Sequence, residues 1–370
     1  MATVISIVSY PFLPAKVGGQ KGVALFNKYF SEYHQLICVT TKKNDPTAAE
    51  GYKVLNILSN SKLRYINIFY FFLLRKIIRE NKASHLLLEH PYYGWLGILI
   101  KKFCGVKLIV HSHNMEGLRW KTLGKWWWKI LWNYEKFTHR HADYNFFIHD
   151  DDKEYAIKEF GLAASKCITM TYGIERNTIV SQTEKERCQN LLRAEYHITK
   201  HEKILFFNGA FNYSPNMEAL KTITDYINPL LLKKNNFLYK IIICGRDIPG
   251  EISSASYTNI IFAGFVDDVC IYFKGADIFL NPITEGGGIK TKLVEALGYN
   301  LNAVSTLQGA TGIQAGWCNG KLLICQNDDW DSFANLIVES SKYIADIPAV
   351  YFEHFYWGYT TKKAASFIEQ

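Results

Sequence analysis

At 370 residues the chain is long enough for two domains of ordinary size, and 48% hydrophobic with 21% charged residues excludes a disordered or fibrous protein. Its net charge of +8 is unevenly placed: residues 1–172 hold 24 Lys/Arg against 13 Asp/Glu, a surplus of 11, and residues 173–370 hold 18 against 21, a deficit of 3. The basic half is expected to meet something anionic or to lie near an anionic membrane surface.

The predicted elements alternate from the start. "TVISIVSY" is a β-branched strand; a Pro/Gly loop follows; "GVALFNKYFSEY" has helical spacing; "QLICVTT" is a strand again. "HLLLEH" and "KLIVHSH" are short continuous apolar runs, as in parallel strands buried on both faces. "ADYNFFIH" and "KCITMTYG" read as further strands, and helices are predicted over 66–81, 96–103, 126–141 and 151–160. Near residue 174 the alternation breaks into the polar stretch "IERNTIVSQTEKERCQN". A second series then runs "KILFFNGA" (strand), "SPNMEALKTITDYI" (helix with a Ser-Pro start), "YKIIICGRD" and "NIIFAGFV" (strands), "DVCIYFKGA" (helix), and "DIFLNPIT", "NAVST" and "KLLIC" (strands). Two such series predict an α/β protein of two doubly wound, Rossmann-like domains facing a cleft, residues 1–173 and 174–345. The aromatic tail, 346–370, is expected to pack as a terminal helix. The start of the chain lacks a basic n-region and a long apolar h-region. The eight cysteines are scattered with no CxxC pair, so a reducing cytoplasm is expected. The apolar windows 65–74 and 94–100 fall short of the roughly 20 residues of a spanning helix.

The joint "NPITEGGGIKTKLVEALGYN", residues 281–300, places three consecutive glycines and two lysines between a strand and a helix. Ligands of parallel α/β sheets bind where strands end and helices begin, because helix N-termini present free N–H groups and partial positive charge. Glycines let the backbone approach a phosphate closely. Gly286, Gly287 and Gly288 with Ile289, Lys290 and Lys292 therefore read as a diphosphate cradle. A lysine about 4 Å from a phosphate charge contributes roughly 4 kcal/mol at an effective dielectric near 20, before desolvation. Lys292 and Glu295 share a helix face, and Glu295 is suited to accept hydrogen bonds from ribose hydroxyls. In the first domain Gly18 and Gly19, between the first strand and its helix, read either as a simple turn or as a second wall for the same ligand or its acceptor.

These stretches, with "VGGQKGVAL", "LIVHSHNMEGLRW", "TYGIE", "NGAFNYSPNMEAL", "IIICGRD" and "IIFAGFVDD", resemble the retaining group-1 (family 4) glycosyltransferases of the GT-B fold, over nearly the whole chain. The resemblance implies a nucleotide-diphospho-sugar donor, UDP- or GDP-linked, and a terminal helix that crosses back to the N-terminal domain. It implies that the 281–300 loop and helix grip diphosphate and sugar, that Glu295 binds the ribose, and that Phe265 and Val266 hold the base through backbone groups. Gly18, Gly19 and Gly209 would lie near the donor, and His113 would line the sugar pocket. The chain departs from the family pattern in three ways. The family's two glutamates are separated by seven residues, but eight positions before Glu295 stands Gly287; Glu285, ten before, takes the first place only if the loop is two residues longer. No cation follows the first strand of the second domain, leaving Lys290, Lys292 and, more weakly, Arg246 to supply the charge. The proline usual after the glycine loop is absent.

The resemblance further implies front-face displacement, in which the leaving diphosphate takes the acceptor proton while the lysines stabilise its charge. Catalytic roles are expected for His113, Lys290 and Glu285. Glu116 and Arg119, placed in the loop that follows strand "KLIVHSH", are acceptor candidates. The acidic cluster "HDDDK" at 149–153 reads as helix capping by Asp150 or Asp151 rather than a metal site. Residues 121–136 interleave Trp126, Trp127, Trp128 and Trp132 with lysines; they read as an amphipathic helix with a Trp stripe in the core or as a segment lying in a membrane interface. The expected protein is a cytoplasmic transferase, at the inner face of a membrane if that segment binds lipid. It would need no tightly bound cofactor, metal or nucleic acid, and would act on a glycan, lipid-linked or small-molecule acceptor. The alternatives are a non-catalytic binding relative and another GT-B enzyme, a phosphorylase or epimerase.

Overall fold

The computed structural model describes residues 1–16, 18–254 and 257–370. These fall into two units, one of Met1–Glu175 with Tyr356–Gln370 and one of Arg176–Phe355. Unit 1 holds a parallel sheet built from β1 (Thr3–Val8), β2 (Gln35–Thr41), β3 (Lys53–Leu58), β4 (His85–Glu89), β5 (Lys107–Ser112), β6 (Tyr144–Phe147) and β7 (Cys167–Thr169), in the order β3-β2-β1-β4-β5-β6-β7. Unit 2 holds β8 (Lys203–Ala210), β9 (Tyr239–Arg246), β10 (Ile260–Gly264), β11 (Ile278–Asn281), β12 (Asn302–Thr306) and β13 (Leu322–Cys325), also all parallel, in the order β10-β9-β8-β11-β12-β13. The inner strands are buried on both faces, which is why they read as unbroken apolar runs such as "LICV", "LLL" and "IIIC".

Helices cover both sheets. In unit 1, helices Phe69–Glu80 and Gly94–Cys104 press Tyr70, Leu74, Ile78, Leu96 and Ile100 onto one face of the sheet, against Ile5, Val39, Leu88 and Val110. In unit 2, Ala219, Leu220, Ile223, Phe333 and Ile337 do the same against Leu205, Ile241 and Val304.

Five local expectations change. Lys53–Leu58 is a strand, although only half-buried at the sheet edge. The polar stretch after 174 contains helix Gln182–Glu195, whose cap Ser181 accepts the Glu184 N–H at 3.2 Å. Gly18 and Gly19 do not form a loop before a helix but open helix Gly18–Phe30 itself. The cap of helix Asp150–Tyr155 is His149, whose Nδ1 accepts the Asp152 N–H at 3.3 Å; Asp150 is engaged by Lys153 and Thr169 instead. The tail forms two helices, Ala349–Phe355 in unit 2 and Trp357–Ile368 in unit 1. No described helix is long and apolar enough to cross a membrane.

Candidate functional site

In unit 2 the strand order reverses between β8 and β11, the switch point at which loops diverge and open α/β sheets bind ligands. Loop 282–290 leaves β11 there and enters helix Thr291–Gly298. Gly286 and Gly288 take φ of +84° and +72°, a region side chains rarely enter, and a Cβ on Gly286 would stand 3.1 Å from the Tyr213 hydroxyl. The bend turns main-chain carbonyls toward Lys290, whose Nζ donates to those of Gly286 at 2.8 Å and Gly288 at 3.0 Å. Gln308 Nε2 donates to the same Gly286 carbonyl at 3.0 Å and ties the loop to the end of β12. Lys292 Nζ reaches across the switch point to the Asn208 carbonyl of β8 at 2.6 Å. Burial pushes both ammonium groups down to about 8, Glu295 opposing the shift at Lys292. Lys290 is itself the N-cap residue and supplies no capping side chain, so the first N–H groups of the helix have none. Glu285 is exposed and Ile289 half-buried. Lys290, read from the sequence as part of a diphosphate cradle, here braces the loop from within.

At the end of β9, Arg246 lays its guanidinium 4.4 Å from the centroid of the Phe265 ring, and both side chains are exposed. Val266 is half-buried beside them. Gly209 pairs with Gly245 across β8 and β9; Gly245 has φ of +149°, and a Cβ on it would fall 1.7 Å from the Gly209 carbonyl oxygen. A Cβ on Gly209 would press on Asn216 at 3.0 Å. Close strand packing therefore requires glycine at 245 and crowds a side chain at 209. The Asn208 side-chain Oδ1 is buried and without a hydrogen-bond partner.

In unit 1 the order reverses between β1 and β4. Parallel register sets Val8, Glu89 and His111 side by side at the carboxyl ends of β1, β4 and β5. Glu89 is buried, and its carboxylate is joined to His111 Nδ1 at 3.1 Å and His113 Nε2 at 2.5 Å. Burial alone would raise its pKa; the two histidines outweigh burial and hold it below the usual carboxylate range. His90, at φ +72°, stacks its ring 4.6 Å from that of His113, and its Nε2 lies 3.3 Å from the Tyr10 hydroxyl. Burial lowers the pKa of His90 and of His111, with Glu89 opposing the shift at both. Among the described residues, Glu89, His111 and His113 offer ligand atoms within 4.8 Å of one another, a set suited to a metal ion. Here the carboxylate bonds both imidazoles directly.

Glu116 and Arg119 do not stand in a loop. They open helix Glu116–Thr122, and Glu116 is buried beneath it, accepting the Tyr92 hydroxyl at 2.7 Å and standing 3.4 Å from Arg119. Glu135 fixes that helix start by accepting the N–H groups of Glu116 and Gly117, each at 2.9 Å. Through the 3.6 Å approach of Glu116 to His90, the structure links Glu116 and Arg119 with His113 in one cluster. Glu116 is fully buried in this cluster and the Arg119 side chain is half exposed. Glu89, His90, Tyr10 and Tyr92 escape the sequence reading. The signal for Glu89 is an acid ending an otherwise apolar buried strand.

Two family descriptions match the chain, one in each half: "Glycosyltransferase Family 4" over residues 18–177 and "Glycosyl transferases group 1" over residues 202–342. The chain belongs to the group-1, family 4 glycosyltransferases. It is similar to an uncharacterised 44.6 kDa protein of the cps region of Klebsiella pneumoniae, 27% identical over 180 residues, 45% of each chain. It is also similar to the chitobiosyldiphosphodolichol beta-mannosyltransferase of Debaryomyces hansenii, 24% identical over 272 residues, 65% of this chain and 57% of that one. The chain thus spans about half the length of the curated relatives it matches. Among solved structures it superposes on the Anabaena protein HepE, crystallised with UDP and glucose, with a TM-score of 0.71 at 12% identity over 100% of both chains. That likeness shows the fold, GT-B, with its two Rossmann-like domains.

Proposed function

We propose that the protein transfers a sugar from a nucleotide-diphospho-sugar to an acceptor hydroxyl with retention of anomeric configuration. The observation that carries this reading is the pair of buried ammonium groups, Lys290 and Lys292, set among carbonyl oxygens beneath a helix start without a capping side chain. A diphosphate supplies what both features lack, acceptors for the helix N–H groups and anionic charge for the lysines. Glu295 then receives the ribose hydroxyls, Phe265 and Val266 the base, and Arg246 lies beside it. As the bond from the anomeric carbon to the diphosphate breaks, the acceptor oxygen bonds to the same face of that carbon and its proton passes to the departing phosphate oxygen. The lysines stabilise the charge that develops there. Glu285 and His113 are assigned to the sugar, Gly18 and Gly19 to donor binding, and the basic unit 1, with Arg119, to the acceptor. HepE, crystallised with UDP and glucose, supports a UDP-sugar, and the name of the mannosyltransferase relative supports a lipid-linked acceptor.

Turnover of UDP- and GDP-sugars by Lys290→Ala, Lys292→Ala and Glu295→Ala tests the reading. The two lysine variants are each expected to fall at least about 100-fold, the loss typical of removing one group that stabilises transition-state charge, and Glu295→Ala to weaken donor binding through its lost ribose contact. Full activity in all three variants defeats it.

A further inference from the structure

We infer that unit 1 docks on an anionic lipid surface through the outward side of three neighbouring helices, Phe69–Glu80, Gly94–Cys104 and Trp128–His141. This deepens the proposed function by placing its acceptor at a membrane, and rests on that reading only there. The first two helices bury their inner stripes on the same sheet face, so their outer stripes look the same way. On the first that stripe is Phe69, Phe72 and Lys76; on the second it is Leu99, Lys102 and Phe103. The third helix packs beside the second, joined where the Trp95 N–H donates to the Tyr134 hydroxyl at 3.0 Å, and turns Ile130 and Phe137 outward. The turn Lys62–Ile66 is fastened to the second helix by Trp95 Nε1, which donates to the Tyr65 carbonyl at 2.8 Å.

The exposure is concentrated. Leu63, Ile66, Ile68, Phe69 and Phe72 are each 61–73% exposed within ten residues, and Trp126 is 83% exposed. Single exposed apolar side chains are ordinary; a run of five large ones marks an interaction surface. Charge selects the partner. Residues 61–129 hold 13 Lys/Arg against three Asp/Glu, a surplus of 10, nearly all of the surplus of the basic half. Two of the three acids, Glu89 and Glu116, are buried, which leaves Glu80. A second copy of the chain would set this surplus against itself. An anionic bilayer surface takes both features, with lysines at the headgroups and aromatic and aliphatic side chains at the acyl boundary. Of the two sequence readings of 121–136, the exposed Trp126 favours the interfacial one, while Trp132 packs inward on Phe160.

Co-sedimentation of the full chain with phosphatidylcholine vesicles, with and without phosphatidylglycerol, tests this. Binding is expected only with phosphatidylglycerol, weakening as salt is raised. The exposed pair Ile68→Ser/Phe72→Ser should bind at least about tenfold more weakly with an unchanged melting temperature, and Lys76→Glu/Lys102→Glu likewise. Absence of wild-type binding to the anionic vesicles, or binding that neither pair weakens, overturns the inference. So does a dimer abolished by these substitutions without vesicle binding, which would make a second copy the occupant. The assay contains no donor or acceptor. Its failure leaves transfer to a soluble acceptor untouched, and failure of transfer leaves vesicle binding standing.

Discussion

Lys290 and Lys292 donate to main-chain carbonyls, partial charges that compensate only part of the hydration an ammonium loses on burial. Their depressed pKa values, about 8, record that deficit. An arriving diphosphate raises both again, so binding takes up protons wherever the free lysines have begun to lose them. Below pH 8 the lysines are charged and the anion meets its full attraction; as pH rises through 8 the protons must be supplied and affinity falls. Calorimetry with UDP should show affinity level to about pH 7 and declining by up to about tenfold per pH unit for each lysine above 8. Replacing both by Met should give weaker, pH-independent binding, and a wild-type affinity level to pH 9.5 would disconnect the lysines from the ligand. In the proposed reading Glu89 acts at one remove, through its carboxylate 2.5 Å from His113 Nε2. Glu89→Gln keeps the shape and removes the charge, so it should lower kcat by about tenfold or more while the protein stays folded. If the two act as a unit, Glu89→Gln with His113→Asn should cost no more than the worse single change, whereas strictly additive losses would show Glu89 to be only structural.

At the level of elements, what the sequence made legible was whatever depends on neighbours in the chain. Doubly buried strands announce themselves as apolar runs, and the joint at 281–300 stands out because glycines, lysines and a strand end coincide within twelve residues. Edge strand β3 is half-wet and short of apolar residues, so "KVLNIL" carries little signal. Helix Gln182–Glu195 buries only Cys188 and Leu192 and shows almost no apolar stripe; its Ser181–Glu184 capping box was the available clue. Helix Glu116–Thr122 owes its start to Glu135, nineteen positions on, a contact that no local pattern encodes. The histidine cluster is hidden for the same reason. Glu89 and His111 are 22 residues apart and meet only because parallel register aligns β4 with β5. Gly209 teaches the converse: a glycine at a strand end suggests ligand approach, yet a side chain there would already crowd Asn216 at 3.0 Å.

On the scale of the whole chain, the last fifteen residues close the unit that the first 175 begin. The Trp357 N–H donates to the Ile174 carbonyl at 3.0 Å, and its ring packs on Gly173 and 5.6 Å from that of Tyr172. Trp357, Ala364, Ala365 and Ile368 are buried, and Phe367 meets Tyr144 of β6 at 5.5 Å. Burying each large apolar side chain contributes about 1.5–3 kcal/mol, so Trp357 and Ile368 together supply about 5 kcal/mol, comparable with the whole stability of a marginal domain. A chain ending at Phe355 should therefore lose unit 1 first: its melting temperature should drop by at least about 10 °C, with early proteolysis confined to residues before 176. Unit 2 keeps every one of its residues in that variant. If the donor site lies chiefly there, UDP affinity should stay within about threefold of wild type, since distant sites act independently, while sugar transfer is lost. An intact unit 1 after truncation would show that the terminal helix is dispensable packing. Loss of UDP binding with unit 2 still folded would move part of the nucleotide site onto unit 1.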